Sequence, residues 1–386
     1  MLSQMSRVLL FKVWAMVALL PYTSTCAAAL NGIKASTGQD TVSRRHPPST
    51  NAAREAIDAM NWGFYNITDG RWRTSDAWWL SGNALQTILD YMRATGSKDY
   101  LWQAEHTVRM QKKPLPWWPQ GGGDFRADST DDTGWWVLAL VSLFDLTGSV
   151  EYLDIARRDE EYMYSYWSTS TCGGGIIQDI PNLAYKNAIS NELYLKLAAS
   201  LHNRIPGDHV YLERAVQSWE WFKGSGMINS ENLVNDGLAQ SSNGTCSNNG
   251  ATTWTYNQGV IIGGLVELYR ATADEEYLAE AKKIADAVLN SSMLSQRGIL
   301  HEPCDPATDC NSDQAAFKGI FARDLAELDK VLDDRPYKGY LVRNAESAWL
   351  RARNSQNFYS VSWTGPFDKA TIGSQASAAS LLLSAL

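Results

Sequence analysis

The chain has no cluster of lysine and arginine. It carries 34 basic and 42 acidic residues, and its formal charge is −8. That balance excludes a phosphate-backbone partner, so no nucleic acid is expected. No His or Cys spacing fits a metal site, and the expectation is no metal. Nothing in the chain suggests a nucleotide, flavin or haem site, so no cofactor is implied. Strand-like alternation is scarce. No apolar run is long enough for a membrane span: Val13 to Leu20 falls short. With Arg7 and Lys12 before it and Cys26-Ala27-Ala28-Ala29 after it, that run reads as a secretory signal over residues 1–29. Residues 30–48, polar and proline-containing, read as a loose leader. Residues 49–386 show no linker and read as one domain. The expected protein is secreted, extracellular and monomeric, with no stable membrane insertion.

What is present supports that compartment. Cys26 leaves with the signal or lies beside the cut. Cys172, Cys246, Cys304 and Cys310 remain, an even set suggesting two disulfides. Cys304 and Cys310 are close enough to close a small loop, leaving Cys172 for Cys246. Sequons at Asn66, Asn243 and Asn290 fit an extracellular chain.

A repeat sets the architecture. Tyr-Leu-x-x-Ala recurs from Tyr100, Tyr152, Tyr211 and Tyr277, with a looser copy from Tyr340. Short turns precede several copies, as in Thr95-Gly96-Ser97 and Thr147-Gly148-Ser149. An apolar helical segment precedes each turn. The unit is long loop, apolar helix, short turn, amphipathic helix. Apolar inner helices are expected near 77–94, 131–147, 186–203, 256–272, 313–330 and 373–386. Amphipathic outer helices are expected near 50–65, 98–112, 150–167, 209–223, 274–291 and 336–353. An open solenoid needs distinct capping repeats, and none is visible. The pattern therefore predicts an all-α, (α/α)6 toroid of six helical hairpins.

The chemistry centres on Asp131-Asp132. The pair stands where the glycine-rich loop Gly121-Gly122-Gly123 gives way to the apolar run from Trp135 to Leu146. Paired carboxyls with flat aromatics suit sugar cleavage. The competing reading is a helix cap, since Asp favours the first turn. Asp124 and Asp128 are rival acids in the same loop. The other loops before inner helices bring further polar and aromatic groups toward one mouth: Trp78-Trp79, Lys186-Asn187 with Asn191, Trp254 with Tyr256 and Asn257, Asp313-Gln314, and Trp363. At least two of Trp78, Trp79, Trp118, Trp254 and Trp363 are expected to face the cleft.

These motifs together resemble glycoside hydrolase family 76. The resemblance rests on Asp131-Asp132, Cys172-Gly-Gly-Gly175 with Tyr185-Lys186-Asn187, Trp254-Thr-Tyr256-Asn257, and Asp313-Gln314 with Phe317-Lys318. It covers roughly residues 50–386. It implies a retaining endo-α-1,6-mannanase, with Asp131 as nucleophile and Asp132 as general acid/base. Trp78, Trp79, Asn187, Asn191, Tyr256, Asn257, Asp313, Gln314, Lys318 and Trp363 are then expected to bind an α-mannan or α-1,6-mannooligosaccharide. The family also has a fungal cell-wall branch that acts by transfer. That branch usually has Gln after the second Asp, where this chain has Thr133, and ends in a lipid-anchor signal. Here Leu381-Leu382-Leu383 reads as part of a last inner helix. Both departures favour a soluble hydrolase. A transglycosylase using the same residues, a non-catalytic mannan-binding toroid and a protein-binding helical scaffold are the alternatives.

Overall fold

The two helix types expected from the apolar spacing separate into two rings. A computed structural model describes residues 49–386 apart from 74–76, 243 and 306–308. The expected signal, the leader and the Asn243 sequon lie outside the described residues. In chain order the helices are α1 (Thr50–Phe64), α2 (Trp78–Thr95), α3 (Leu101–Gln111), α4 (Thr130–Thr147), α5 (Val150–Tyr164), α6 (Ala188–His202), α7 (Val210–Gly224), α8 (Thr255–Thr272), α9 (Glu275–Asn290), α10 (Phe317–Val331), α11 (Lys338–Arg351) and α12 (Ile372–Ser384). Odd-numbered helices are outer and even-numbered helices are inner. Each inner helix packs on the next, and α12 packs back on α2, which closes the ring. The final apolar segment is thus the sixth inner helix of an (α/α)6 toroid.

Burial follows the sequence pattern. In outer α9 only one stripe is buried, formed by Leu278, Ala281, Ile284, Ala285 and Val288. In inner α6, Ala188 to Leu195 are all buried. Where inner helices cross, small residues let the backbones meet. A Cβ on Gly319 of α10 would lie 2.3 Å from the Cα of Ser377 on α12.

The short turn is one device used three times. Thr95, Thr147 and Thr272 each donate their hydroxyl to the carbonyl four residues back, at 2.7, 2.7 and 2.8 Å. Each hydroxyl also accepts the backbone N–H two residues on. Gly96 and Gly148 then take φ of 70° and end their helices in the left-handed conformation. Ala273 does the same at φ 57° without that freedom. The long loops on the opposite face carry three two-stranded hairpins among the described residues: β1 (Tyr65–Asn66) with β2 (Arg71–Trp72), β3 (Leu238–Gln240) with β4 (Cys246–Asn248), and β5 (Ser295–Gln296) with β6 (Ile299–Leu300). Disulfides Cys172–Cys246 and Cys304–Cys310 tie these loops, in the pairing expected.

A chain of ion pairs closes the face where the inner helices end. Arg204 bridges Asp145 (2.6 Å) and Glu267 (3.4 Å). Arg270 bridges Glu267 (2.6 Å) and Glu327 (2.9 Å). Arg93 continues from Glu327 (3.9 Å) to Asp90 (3.1 Å). Arginines at helix C-termini also oppose the negative end of the macrodipole. Burial alone would raise the Glu327 carboxyl, but Lys330, Arg93 and Arg270 outweigh it and hold the pKa at about 2. A depressed carboxyl stabilises the fold above its unfolded value of 4.5 and loses that contribution as pH falls toward about 2. Glu327→Gln is expected to lose on the order of 3 kcal/mol at neutral pH. Urea denaturation at several pH values checks this: the wild-type stability should fall between pH 4.5 and about 2 more steeply than the variant's.

Candidate active site

The mouth opposite those ion pairs is where inner helices begin. A cavity of about 240 Å³ opens there, lined by side chains that start α2, α4, α8 and α10. Asp131 and Asp132 occupy the first turn of α4 and line it together. Neither is the N-cap, which is Ser129. The loop below them is fixed by Thr133, which accepts the Ala127 N–H at 3.0 Å. Here the residue that departs from the wall-branch pattern serves as a buried anchor.

The two carboxyls are neighbours in unlike surroundings. Burial raises the pKa of Asp131, but hydrogen bonds from Ser129, Gln178 and the backbone N–H groups oppose it. Its Oδ1 accepts the Asp132 N–H at 3.1 Å and faces the Gln178 amide at 3.5 Å. Asp132 is held well above the ordinary range, first by burial and then by the carboxylates of Asp131, Asp128 and Asp313. One acid is surrounded by donors and the other by negative charge. This is the asymmetry a nucleophile and an acid need.

Gln178 is placed by its own loop. Its N–H donates to the Tyr185 carbonyl at 2.8 Å. The Lys186 ammonium is enclosed by carbonyls of Ser168, Thr171 and Gly174. Gly175, at φ 93°, lies against Trp221, and a Cβ there would sit 2.3 Å from the indole. The glycine run and Lys186 therefore build the loop that presents Gln178 to Asp131.

Aromatic rings wall the cavity. Tyr256 stacks on Phe317 with centroids 3.8 Å apart. Trp135 stacks on Trp79 at 5.3 Å and on Tyr256 at 6.3 Å. Trp254 meets Phe317 edge-on at 5.7 Å. Trp79 donates its indole N–H to Asp313 Oδ1 at 3.0 Å, and Gln314 and Asn311 complete the rim. Of the residues expected to bind, Trp79, Tyr256, Asp313 and Gln314 thus meet around Asp131 and Asp132, with Trp254 of the expected tryptophans.

The others lie elsewhere. Trp78 is core: it stacks on Trp136 at 4.9 Å and donates to Gln111. Asn187 is the N-cap of α6 and accepts the Ser190 N–H. Asn191 is fully buried and bonds to the Ile176 backbone through both polar atoms. Asn257 is buried and does not line the cavity. Lys318 is buried against Asp305, with Trp363 beside it in the interior. Trp118 is half-buried and donates to Tyr162. Asp124 is committed to Arg158 at 2.7 Å. For Trp78 and Trp79 on α2 the reason is helix rotation: adjacent residues there point about 100° apart, and Trp79 is the one that faces the mouth. Trp78→Ala is therefore expected to destabilise by about 3–5 kcal/mol. Trp254→Ala should weaken oligosaccharide binding and leave the melting temperature nearly unchanged. Thermal melts and titration of both variants check the contrast.

Sequence reasoning missed Trp135, Phe317, Asn311 and Gln178 as site residues. Asp236 accepts the Tyr185 hydroxyl and does not line the cavity.

Comparison with known proteins adds to this geometry. The profile of glycosyl hydrolase family 76 matches residues 49–386. A putative mannan endo-1,6-alpha-mannosidase of Schizosaccharomyces pombe is 29% identical over 78% of this chain and 71% of its own. The mannan endo-1,6-alpha-mannosidase DCW1 of Candida albicans is 29% identical over 66% of this chain, which spans 58% of that protein. An inactive variant of the alpha-1,6-mannanase of Salegentibacter sp. HEL1_6, with two adjacent aspartates changed to asparagine, was solved with alpha-1,6-mannotriose. It has a TM-score of 0.77 at 22% identity, covering 87% of this chain and 98% of that one. Dfg5 of Chaetomium thermophilum, solved with glucosamine, has a TM-score of 0.74 at 20% identity, covering 87% and 88%. At these identities the solved structures share the fold.

Proposed function

The chain belongs to glycosyl hydrolase family 76, and from that membership we propose a retaining hydrolase that cleaves α-1,6-mannosidic bonds within a mannan backbone. The observation that carries the reading is the unequal pair of acids in an aromatic cavity. Asp131, supplied with donors, is the ionised nucleophile. Asp132, among carboxylates, holds the proton. In the first step an Asp131 oxygen bonds to the anomeric carbon, the glycosidic bond breaks, and the Asp132 proton passes to the leaving oxygen. In the second step Asp132 takes a proton from water, whose oxygen attacks the anomeric carbon and frees Asp131. Two inversions retain configuration. The flat faces of Trp79, Trp254 and Tyr256 suit sugar rings, and Asp313 and Gln314 suit hydroxyls.

We further propose that the enzyme is secreted and monomeric. Among the described residues no helix is long and apolar enough to cross a membrane. Asn66 and Asn290 are exposed, as glycan acceptors must be. Product analysis with linear α-1,6-mannan and an added acceptor sugar tests the activity. Shorter mannan chains of retained configuration support hydrolysis. Products joined to the acceptor make the enzyme a transglycosylase. No reaction with mannan overturns the reading.

A further inference from the structure

A second cavity lies beside the first and is larger, about 410 Å³ against about 240 Å³. It sits between the loop from β6 to α10 and the loop from α11 to α12. Cys310 lines it, and the next residue, Asn311, lines the cavity of the paired acids. The two cavities share that wall.

A buried lysine ties the two loops of the second cavity together. Lys318, fully buried, pairs with Asp305 on one loop and donates to the Val361 carbonyl on the other at 2.8 Å. Its ammonium lies 4.9 Å from the centroid of Trp363. Removing an ammonium from water is costly unless it is paired and hydrogen-bonded. Here that pairing clamps the two loops together. The Cys304–Cys310 disulfide closes the first loop on itself. Lys318 and Trp363, which the sequence suggested would touch substrate, instead form the buried support of this cavity.

The lining chemistry narrows the ligand. Asp305 is neutralised by Lys318. Ser362 and Thr364 offer hydroxyls, and Gln296 offers an amide. His301 is nine-tenths buried, and its Nδ1 has no hydrogen-bond partner, lying 3.7 Å from Asp305. Burial, and then the Lys318 charge, lower its pKa, so the ring is neutral. Asp368 and Lys369, both exposed, add one charge of each sign, so the lining carries no net charge and its hydroxyl, amide and imidazole groups suit a neutral polyol.

We propose that this cavity is a distal sugar subsite that holds a further stretch of the mannan strand cut at Asp131 and Asp132. The proposal rests on the mannan reading. It makes the enzyme favour long chains over short ones. Thr364→Trp fills the cavity without touching the paired acids. In a background carrying Asp131→Asn and Asp132→Asn, it should weaken mannohexaose binding about tenfold and leave mannotriose binding unchanged. With the acids intact, turnover of mannotriose should also be unchanged. Gln296→Ala and Ser362→Ala should act in the same direction with smaller effect, which covers the case where the tryptophan variant fails to fold. If both ligands weaken equally, or neither does, the subsite is overturned while the mannan reading stands. If mannotriose is neither bound nor cut, the mannan reading fails and the subsite falls with it.

Discussion

Asp132→Asn should lose mannan turnover by on the order of hundredfold or more and still gain stability at neutral pH. The first half follows from chemistry: asparagine cannot donate the proton the leaving oxygen needs. The second half follows from electrostatics. The folded pKa of Asp132 is raised well above 3.8, first by burial and then by Asp131, Asp128 and Asp313. A raised carboxyl binds its proton more tightly in the folded state. Stability therefore falls as pH rises from 3.8 through the folded value. Asparagine carries no such loss, so the variant should melt higher at neutral pH. A helix cap behaves in the opposite way. Replacing a charged first-turn residue that only caps would leave activity intact and cost stability. Thermal melts and mannan assays on one preparation separate the two. Asp131→Asn should be equally inactive, but with less gain in stability, because donors already favour its charge. With an activated aryl mannoside, Asp132→Asn should still form the covalent intermediate, and added azide should restore turnover. Azide rescue of Asp131→Asn with retained configuration would instead reverse the roles.

The toroid was legible because its signals are local. The threonine that bonds back four residues, the glycine at left-handed φ and the buried stripe of each outer helix all lie within one hairpin. The acids were legible because both stand in one turn. The cavity wall was only partly legible. Trp78 and Trp79 are equivalent in sequence, yet one stacks into the core and the other faces Asp313. The rotation of α2 decides between them, and the whole ring sets that rotation. Gln178 reaches the site through a loop whose path depends on the Lys186 carbonyl cage. Lys318 and Trp363 were expected to bind substrate, and both are buried away from the cavity of the paired acids. Their place beneath a neighbouring cavity depends on how two distant loops meet.

The pH profile should show the same asymmetry, and a single neighbouring charge should move one half of it more than the other. For kcat/KM on mannan the acid limb reports loss of the charged nucleophile, and the alkaline limb reports loss of the protonated acid. Two close acids titrate as a pair, so both limbs belong to the dyad. Their sensitivities still differ. Asp313 is among the charges that raise Asp132, whereas hydrogen bonds from Ser129, Gln178 and the backbone oppose the rise at Asp131. Asp313→Asn removes that charge and keeps an oxygen for the Trp79 indole N–H. The alkaline limb should then move to lower pH by more than the acid limb moves. With an activated aryl mannoside, whose leaving group needs little protonation, the alkaline limb should fade from the glycosylation step in both proteins. A Gln178→Leu change should do the reverse. It removes a donor that favours charged Asp131, so the acid limb should rise and narrow the profile from the other side. If Asp313→Asn shifts the acid limb more than the alkaline limb, or leaves the alkaline limb fixed, then Asp132 is not the group that holds the proton.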